Sequence, residues 1–149
     1  MNEIGRLVTA MITPFDENEE IDYPRARELA RGLISSGSDS LLIGGTTGES
    51  PSMSDDEKLR LFGEIKEEVG NSVAIIAGTT DNNHRKSIEL SIEAANIGVD
   101  ALLLTVPAYN KPPQEGLYEH FKAIAPSTSL PGLLYNVPSR TSLNMTAKT

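Results

Sequence analysis

Five short apolar runs recur along the 149-residue chain at nearly even intervals, and this repeat constrains the fold more than any other feature. The centres of the runs are separated by 33, 34, 28 and 30 residues and fall at Val8, Leu41, Ile75, Leu103 and Leu133. Between the runs lie amphipathic stretches whose apolar residues have helical spacing, for example Leu59, Phe62, Ile65 and Val69. This alternation predicts a repeated βα unit.

Strands that are continuously apolar and joined by helices are typical of a parallel sheet with right-handed crossovers. Two architectures fit that description. A five-stranded doubly wound sheet has about this length, whereas a (β/α)₈ barrel needs roughly 250 residues, so length favours the first. The loops favour the barrel, because distinctive polar segments follow almost every strand, at residues 13–15, 45–49, 78–82, 107–113 and 136–141.

Local signals mark the ends of the helices. Ser54 followed by Glu57 predicts a capping box at the start of the second helix. Gly37, Gly70 and Gly98 stand where the first three helices should end. Residues 144–147 are predicted to begin a fifth helix, so the chain ends in the middle of a repeat.

Composition excludes several classes of function. With 13 Lys and Arg against 21 Asp and Glu, the net charge of −8 provides no basic surface for nucleic acid or an anionic membrane, and small anionic substrates need a local positive site. The absence of cysteine excludes disulfides, thiolate nucleophiles and cysteine-ligated zinc. His84 and His120 fall on separate predicted helices, and we assign them no metal. With no signal peptide or membrane-spanning stretch, we expect a cytoplasmic protein.

The segment 41–51, LLIGGTTGESP, is the strongest candidate for a binding loop. Its glycines allow positive φ and close approach of a ligand, so that backbone N–H groups and the Thr46 and Thr47 hydroxyls can face an anion. A small carboxylate or phosphate would fit there. A plain connection between a strand and a helix is the alternative interpretation. Glu49 is interpreted as a hydrogen-bond acceptor that organises the loop.

Three loop motifs, taken together, resemble the dihydrodipicolinate synthase and N-acetylneuraminate lyase superfamily of pyruvate-dependent class I aldolases. They are GTTGE at residues 45–49, YNKP at residues 109–112 and YNVPSRT at residues 135–141. The motifs look like the dihydrodipicolinate synthase branch, because the sister lyases usually have serine at the position of Thr46 and lack Arg140. The resemblance implies that residues 1–149 are the N-terminal part of one (β/α)₈ barrel, with about five strands and four helices.

The resemblance also implies an activity. In that branch, pyruvate forms a Schiff base with a lysine of the sixth strand, and the resulting enamine condenses with aspartate semialdehyde in lysine and diaminopimelate biosynthesis. Tyr135 would donate and accept protons, and Thr46 would relay them to Tyr109, which a neighbouring subunit of a homodimer or homotetramer supplies. Thr47 would hold the pyruvate carboxylate, and Arg140 would bind the carboxylate of the semialdehyde. No other cofactor is implied.

The lysine that forms the Schiff base is expected to lie beyond Thr149, so the chain alone is expected to be inactive. Of its six lysines, Lys111 lies in a loop, Lys148 stands near the end, and the others fall on polar helix faces that we interpret as solvated, at Lys58, Lys66, Lys86 and Lys122. An open portion of a barrel leaves strand edges unpaired, so we also expect association or aggregation.

Two alternatives to this function remain. The first is a sister aldolase that acts on a sugar-acid aldehyde. The second is a half-barrel without catalytic activity that acts as an interaction module. In relatives inhibited by lysine, acidic and histidine side chains bind the effector, and the matching positions here are Lys58 and Lys86. Cations at these positions should repel a cationic effector, so insensitivity to lysine is expected.

Overall fold

Five parallel strands form a single sheet in the order in which they occur along the chain. The computed structural model describes residues 2–149, and its strands are β1 (Val8–Ala10), β2 (Ser40–Ile43), β3 (Ala74–Gly78), β4 (Ala101–Thr105) and β5 (Gly132–Tyr135). A doubly wound sheet reverses its strand order at a switch point. Here the order is β1-β2-β3-β4-β5 with no reversal, so β1 and β5 stand at opposite edges. The barrel-type arrangement is therefore confirmed, and the doubly wound alternative is wrong.

A helix follows each of the first four strands and forms the crossover to the next. These helices are α1 (Tyr23–Ser35), α2 (Asp55–Val69), α3 (His84–Ile97) and α4 (Gln114–Ile124), and a single turn, α5 (Pro138–Thr141), follows β5. Each long helix packs against the next one along the chain, so the four stand side by side against the sheet. Within residues 2–149, no helix combines the length and the apolar content needed to cross a membrane.

The main core lies between the sheet and helices α1 to α3. Leu41 of β2 and Ile75 of β3 pack in one cluster with Phe62 and Ile65 of α2, and all four are fully buried. Burying each such side chain contributes about 1.5–3 kcal/mol to folding. A smaller cluster lies under α4 and is formed mainly by Leu104, Val106, Leu117, Phe121 and Ile124.

The predicted helix ends are confirmed. At the start of α2, the Ser54 N–H donates to the Glu57 carboxylate at 2.7 Å, and the Glu57 N–H donates to the Ser54 hydroxyl at 3.3 Å. Gly70 and Gly98 follow α2 and α3 with φ of 57° and 97°, a conformation that glycine adopts without strain. Gly37 has φ of 104° one residue beyond the cap of α1.

The predicted fifth helix at residues 144–147 is wrong. The Asn136 side-chain amide donates a hydrogen bond to the Asn144 side-chain oxygen at 2.8 Å and accepts one from the Met145 N–H at 3.0 Å. These contacts hold the segment beside the loop after β5 in a non-helical conformation. A single turn closes further on, where the Thr149 N–H donates to the Thr146 carbonyl.

Both edges of the sheet carry exposed apolar side chains. Leu7 and Ile12, on either side of β1, are 54% and 56% exposed, and Leu134 of β5 is 51% exposed. In the described part of the chain, β1 pairs only with β2 and β5 only with β4. Unpaired edges with apolar side chains favour association with another chain.

We predict that the 149-residue chain self-associates through these edges. Size-exclusion chromatography with light scattering should detect species larger than the monomer, and Leu134→Lys should reduce them because a charge on an edge strand opposes pairing. Ile92→Lys is the matched control, since Ile92 is 41% exposed but lies on α3. A monodisperse monomer with cooperative unfolding would contradict this prediction.

A buried carboxylate ties the amino-terminal segment to the sheet. Asp100 is only 2% exposed and accepts hydrogen bonds from the Ile75 N–H and the Lys66 ammonium, both at 3.0 Å, and from the Asn2 N–H. Burial raises the pKa of the Asp100 carboxyl, but the donors from Asn2, Ile75 and Lys66 lower it, and the net pKa lies below its usual value.

This depressed pKa predicts how stability depends on pH. The contribution of the Asp100 carboxylate to the free energy of unfolding is fully present above the unfolded-state pKa of about 3.9. It is lost as pH falls through the lower folded-state pKa. We expect Asp100→Asn to lower the free energy of unfolding at neutral pH by about 1.5–3 kcal/mol and to flatten its acid dependence. Urea denaturation from neutral to acid pH measures both effects.

Glu119→Gln is the control for this experiment, because Glu119 pairs with Lys122 at 3.3 Å on the exposed face of α4. Removing such an exposed pair should change the free energy of unfolding by less than about 1 kcal/mol. An Asp100→Asn variant that keeps the acid dependence of the unmodified chain would show that this carboxylate does not carry it.

Candidate active site

A cavity of about 710 Å³ opens at the carboxyl ends of the strands. Parallel pairing brings these ends to one edge of the sheet, so loops distant in sequence share the cavity wall. The strand ends and the segments after them contribute Gly44, Gly45, Thr46, Gly78, Thr80, Asp81, Asn82, Thr105, Val106, Ala108, Val137, Arg140 and Thr141. Thr46 and Arg140, both predicted site residues, therefore line the same cavity.

Two glycines allow the ends of β2 and β3 to approach closely beside the cavity. Gly44 has φ of 66°, and a Cβ there would lie 3.0 Å from the Phe62 ring. A Cβ on Gly78 would lie 2.3 Å from the Gly44 carbonyl oxygen, a distance that backbone atoms cannot accommodate without moving. The bend that aims the loop after β2 at the cavity thus depends on the absence of side chains at both positions.

The loop after β2 forms a short 3₁₀ turn over Thr46–Gly48. The start of such a turn leaves its first N–H groups without intrahelical partners, and those of Thr46 and Thr47 have no backbone acceptor within residues 2–149. The Thr13 hydroxyl donates to the Gly48 carbonyl at 2.6 Å and fixes the far side of the turn. The loop therefore offers unpaired donors near the cavity, as an anion site requires.

Glu49 does not organise this loop through its side chain, contrary to expectation. Its carboxylate is exposed and has no hydrogen-bond partner in the described part of the chain. The Glu49 backbone organises the loop instead, because its N–H donates to Thr46 and its carbonyl accepts from Ser52 at 2.8 Å. The residue adopts the left-handed conformation with φ of 57° to make these bonds.

Thr80 joins the ends of β3 and β4 below the cavity. Its hydroxyl accepts the Thr105 N–H at 2.6 Å and donates to the Leu103 carbonyl at 3.3 Å. The buried Thr79 hydroxyl accepts from Ser91 of α3 at 2.8 Å. These bonds hold the strand ends at a fixed separation, which makes the cavity wall rigid.

The loop after β5 is held by its own polar side chains. The buried Thr141 hydroxyl contacts the carbonyls of Val137 and Leu143 at 3.2 and 3.0 Å. This arrangement leaves the Arg140 side chain exposed at the cavity, and its guanidinium has no ion-pair partner among residues 2–149. Arg140 can therefore bind an external anion without first breaking a salt bridge.

The other predicted site residues do not line the cavity. Tyr135 ends β5, is 37% exposed and stands beside the cavity rather than in its wall. Thr47 is exposed next to Thr46. Tyr109 is 93% exposed with φ of 71°, so its phenol points away from this chain. The structure thus brings Thr46 and Arg140 together and leaves Tyr109 separate.

Sequence reasoning missed two lysines of the cavity wall. Lys58 was expected on a solvated helix face, but it is only 8% exposed and lines the cavity together with Lys86. The expectation was wrong because the first turns of α2 and α3 begin at the carboxyl ends of the strands, where a polar position faces the cavity instead of bulk solvent. The rule that the first turn of each helix lies at the carboxyl ends of the strands could have identified these lysines from the sequence.

The two histidines are brought together by the fold. His84 and His120 line one groove of about 400 Å³ between α3 and α4. Burial and the neighbouring His84 lower the pKa of His120, while Asp81 acts in the opposite direction. Within residues 2–149, no three histidine, aspartate or glutamate side chains converge on a point where they could hold a metal ion.

Comparison with known proteins gives consistent matches. The chain matches the dihydrodipicolinate synthetase family over residues 3–149. It is 57% identical over 145 residues to a 4-hydroxy-tetrahydrodipicolinate synthase of Symbiobacterium thermophilum, covering 97% of this chain and 50% of the relative. It is 56% identical over 145 residues to the enzyme of that name from Moorella thermoacetica, with the same coverage of both.

Solved structures show the same relationship. A dihydrodipicolinate synthase from Bacillus anthracis superimposes with a TM-score of 0.96 at 47% identity, over 99% of this chain and 51% of that one. A relative from Cyanidioschyzon merolae, solved with lysine bound, gives a TM-score of 0.95 at 43% identity, again over 99% and 51%. The chain therefore spans about half the length of the relatives that it matches.

The contact between Gly44 and Gly78 yields a testable prediction. Gly78→Ala should lower the free energy of unfolding by more than about 2 kcal/mol, because the new methyl group meets backbone rather than a movable side chain. Gly32→Ala is the matched control, since Gly32 lies inside α1 with nothing within 4 Å of its Cβ position. There we expect a gain of about 0.5–1 kcal/mol. Similar urea denaturation midpoints for the two variants would contradict the close approach.

Proposed function

We propose that this chain, which belongs to the dihydrodipicolinate synthetase family, supplies the N-terminal half of an active site that condenses pyruvate with aspartate semialdehyde. The observation that carries the proposal is the shared cavity of Thr46 and Arg140 at the carboxyl ends of the strands. Both substrates are carboxylates, and the cavity offers anion-binding groups on two of its sides.

The pyruvate carboxylate binds at the start of the Thr46–Gly48 turn in this proposal. The unpaired N–H groups of Thr46 and Thr47 and the two exposed hydroxyls can donate hydrogen bonds to it. Such hydrogen bonds to a charged acceptor contribute about 1.5–3 kcal/mol each. The close contact between Gly44 and Gly78 supports this role, because it fixes where the turn begins.

Arg140 binds the carboxylate of the aspartate semialdehyde. Its guanidinium lines the cavity and has no ion-pair partner in the described chain. A planar guanidinium can donate two parallel hydrogen bonds to one carboxylate, which fixes the orientation of the aldehyde as well as its position. The buried Thr141 hydroxyl binds a backbone carbonyl of this turn, so the backbone that carries Arg140 is held in place.

Proton transfer is assigned to Tyr135, Thr46 and Tyr109. Thr46 lies in the cavity wall and Tyr135 ends β5 beside the cavity, and in this proposal the two act on one substrate. Tyr109 is exposed on its own chain and would enter the site of a neighbouring copy in a homo-oligomer. A chain of hydroxyls lets a phenol pass protons to and from a bound substrate.

The lysine that forms the Schiff base with pyruvate comes, in this proposal, from outside residues 1–149. Among residues 2–149, Lys58 is the one buried lysine, and its ammonium donates to the Asp55 carboxylate at 3.1 Å. Lys66 is bound by Asp100 at 3.0 Å. A Schiff-base lysine needs a free amine in a desolvated pocket, which neither of these provides.

The test uses a single polypeptide that joins this chain to the C-terminal half of the Symbiobacterium thermophilum relative. Incubation with pyruvate and borohydride should attach pyruvate to a lysine outside residues 1–149, as peptide mass spectrometry would report. Arg140→Ala should lower kcat/KM for aspartate semialdehyde by about a hundredfold while leaving the borohydride adduct intact, because the arginine contacts only the second substrate.

Arg85→Ala is the matched control, since Arg85 is an exposed arginine of α3 that does not line the cavity. It should leave both measurements unchanged. A pyruvate adduct on Lys58, or an Arg140→Ala variant with normal kinetics, would overturn the assignment. Faster turnover of N-acetylmannosamine or glyceraldehyde than of aspartate semialdehyde would identify the chain with a sister aldolase instead.

A further inference from the structure

Two side-chain amides bind the segment that follows α5. Asn136 donates a hydrogen bond to the Met145 carbonyl at 3.2 Å and accepts one from the Met145 N–H at 3.0 Å. Gln114 donates to the Asn144 carbonyl at 2.8 Å and accepts from the Thr146 N–H at 2.9 Å. In an extended segment, the backbone groups of one residue face one edge and those of its two neighbours face the other. The two amides therefore bind opposite edges of this segment, and we call Asn136 and Gln114 the amide clamp.

The amide clamp closes the loop that carries Arg140. Asn136 stands directly after β5, and the Met145 that it binds lies nine residues further along the chain. Their hydrogen bonds join the two ends of the loop, and α5 forms its tip. Inside the loop, the Arg140 N–H donates to the Val137 carbonyl at 2.9 Å. The position of the arginine backbone is therefore set by hydrogen bonds at both the tip and the ends of the loop.

The clamped segment is anchored to the body of the protein. Leu143 and Met145 are partly buried and pack against the cluster under α4. Gln114 is the first residue of α4, so the amide clamp also joins the loop after β5 to the crossover helix before it. Ser142 has φ of 55°, a conformation that a residue other than glycine keeps only where the surrounding structure holds it. The amide clamp provides this constraint, because it joins the chain segments before and after Ser142.

We infer that Asn136 and Gln114 are positioning residues that hold Arg140 where its guanidinium can bind the second substrate. Neither of them lines the cavity, so they act through Arg140 rather than by contact with a substrate. Within residues 2–149 the guanidinium has no ion-pair partner, and its position depends on the backbone that carries it. A preformed position lowers the entropy that is lost when the substrate binds. The inference rests on the proposed function, because it takes the semialdehyde carboxylate as the group that Arg140 binds.

The kinetic test uses the polypeptide that joins this chain to the C-terminal half of the Symbiobacterium thermophilum relative. Asn136→Ala should lower kcat/KM for aspartate semialdehyde by about tenfold, mainly through a higher KM, because the arginine remains but its turn is no longer held. Gln114→Ala should act in the same direction. The pyruvate adduct trapped by borohydride should form at an unchanged rate in both variants, whereas a general loss of structure would slow it.

A double variant shows whether the amide clamp acts through Arg140. Arg140→Ala combined with Asn136→Ala should have a kcat/KM within about twofold of that of Arg140→Ala alone, because no guanidinium is left to position. Losses that multiply would overturn the inference, and so would an Asn136→Ala variant with an unchanged KM. Asn96→Ala is the matched control, since Asn96 is exposed in the last turn of α3, outside the amide clamp. It should leave kcat/KM unchanged.

Hydrogen exchange in the same polypeptide tests the amide clamp without reference to the reaction. The N–H groups of Arg140 and Ser142 donate to backbone carbonyls at the start of α5, both at 2.9 Å. Asn136→Ala should speed their exchange by about tenfold or more and leave α2 unaffected, as mass spectrometry of peptides would report. Unchanged exchange beside a defective Arg140→Ala variant would refute this inference alone. Normal kinetics of Arg140→Ala would refute the role of Arg140 in the proposed function, and this inference with it.

Discussion

Parallel pairing of each strand with the next is the constraint on which the rest of the structure depends. Pairs such as Leu41 with Ile75 and Leu103 with Leu133 fix the register of neighbouring strands. Because every crossover returns the chain to the same side, all carboxyl ends and all first helical turns meet at one edge. Thr46 and Arg140 share a cavity for this reason, although 93 residues lie between them.

The sequence was sufficient to predict the parts of the fold that are determined locally. Five apolar runs marked the five strands, and Ser54 with Glu57 marked the start of α2, because a strand core and a capping box are both encoded within a few residues. Residues 144–147 were misassigned to a helix since the deciding contact is not local. The Asn136 side chain, eight residues before Asn144, holds that segment in place.

The candidate site was predictable only in part, for a related reason. Thr46 and Arg140 were found from loop motifs, but Lys58 was assigned to solvent because helical periodicity distinguishes an apolar face from a polar one. Periodicity does not show whether the polar face contacts bulk solvent or lines a cavity. The first turn of α2 faces a cavity, so a polar position there is buried without being apolar. Asp55 makes that burial tolerable, since an unpaired buried ammonium would be costly.

The backbone conformation and the exposure of Tyr109 both indicate a contact with a second surface. A tyrosine in the left-handed region costs about 1–2 kcal/mol, and a phenyl ring left in water gains none of the free energy of burial. The Asn110 N–H donates to the Ala108 carbonyl at 2.9 Å and closes the turn at Tyr109, but within residues 2–149 the ring gains almost no burial, because it is 93% exposed. A strained and exposed aromatic side chain gains its stabilisation only from a second surface. This reasoning supports the proposal that Tyr109 completes the active site of a neighbouring copy.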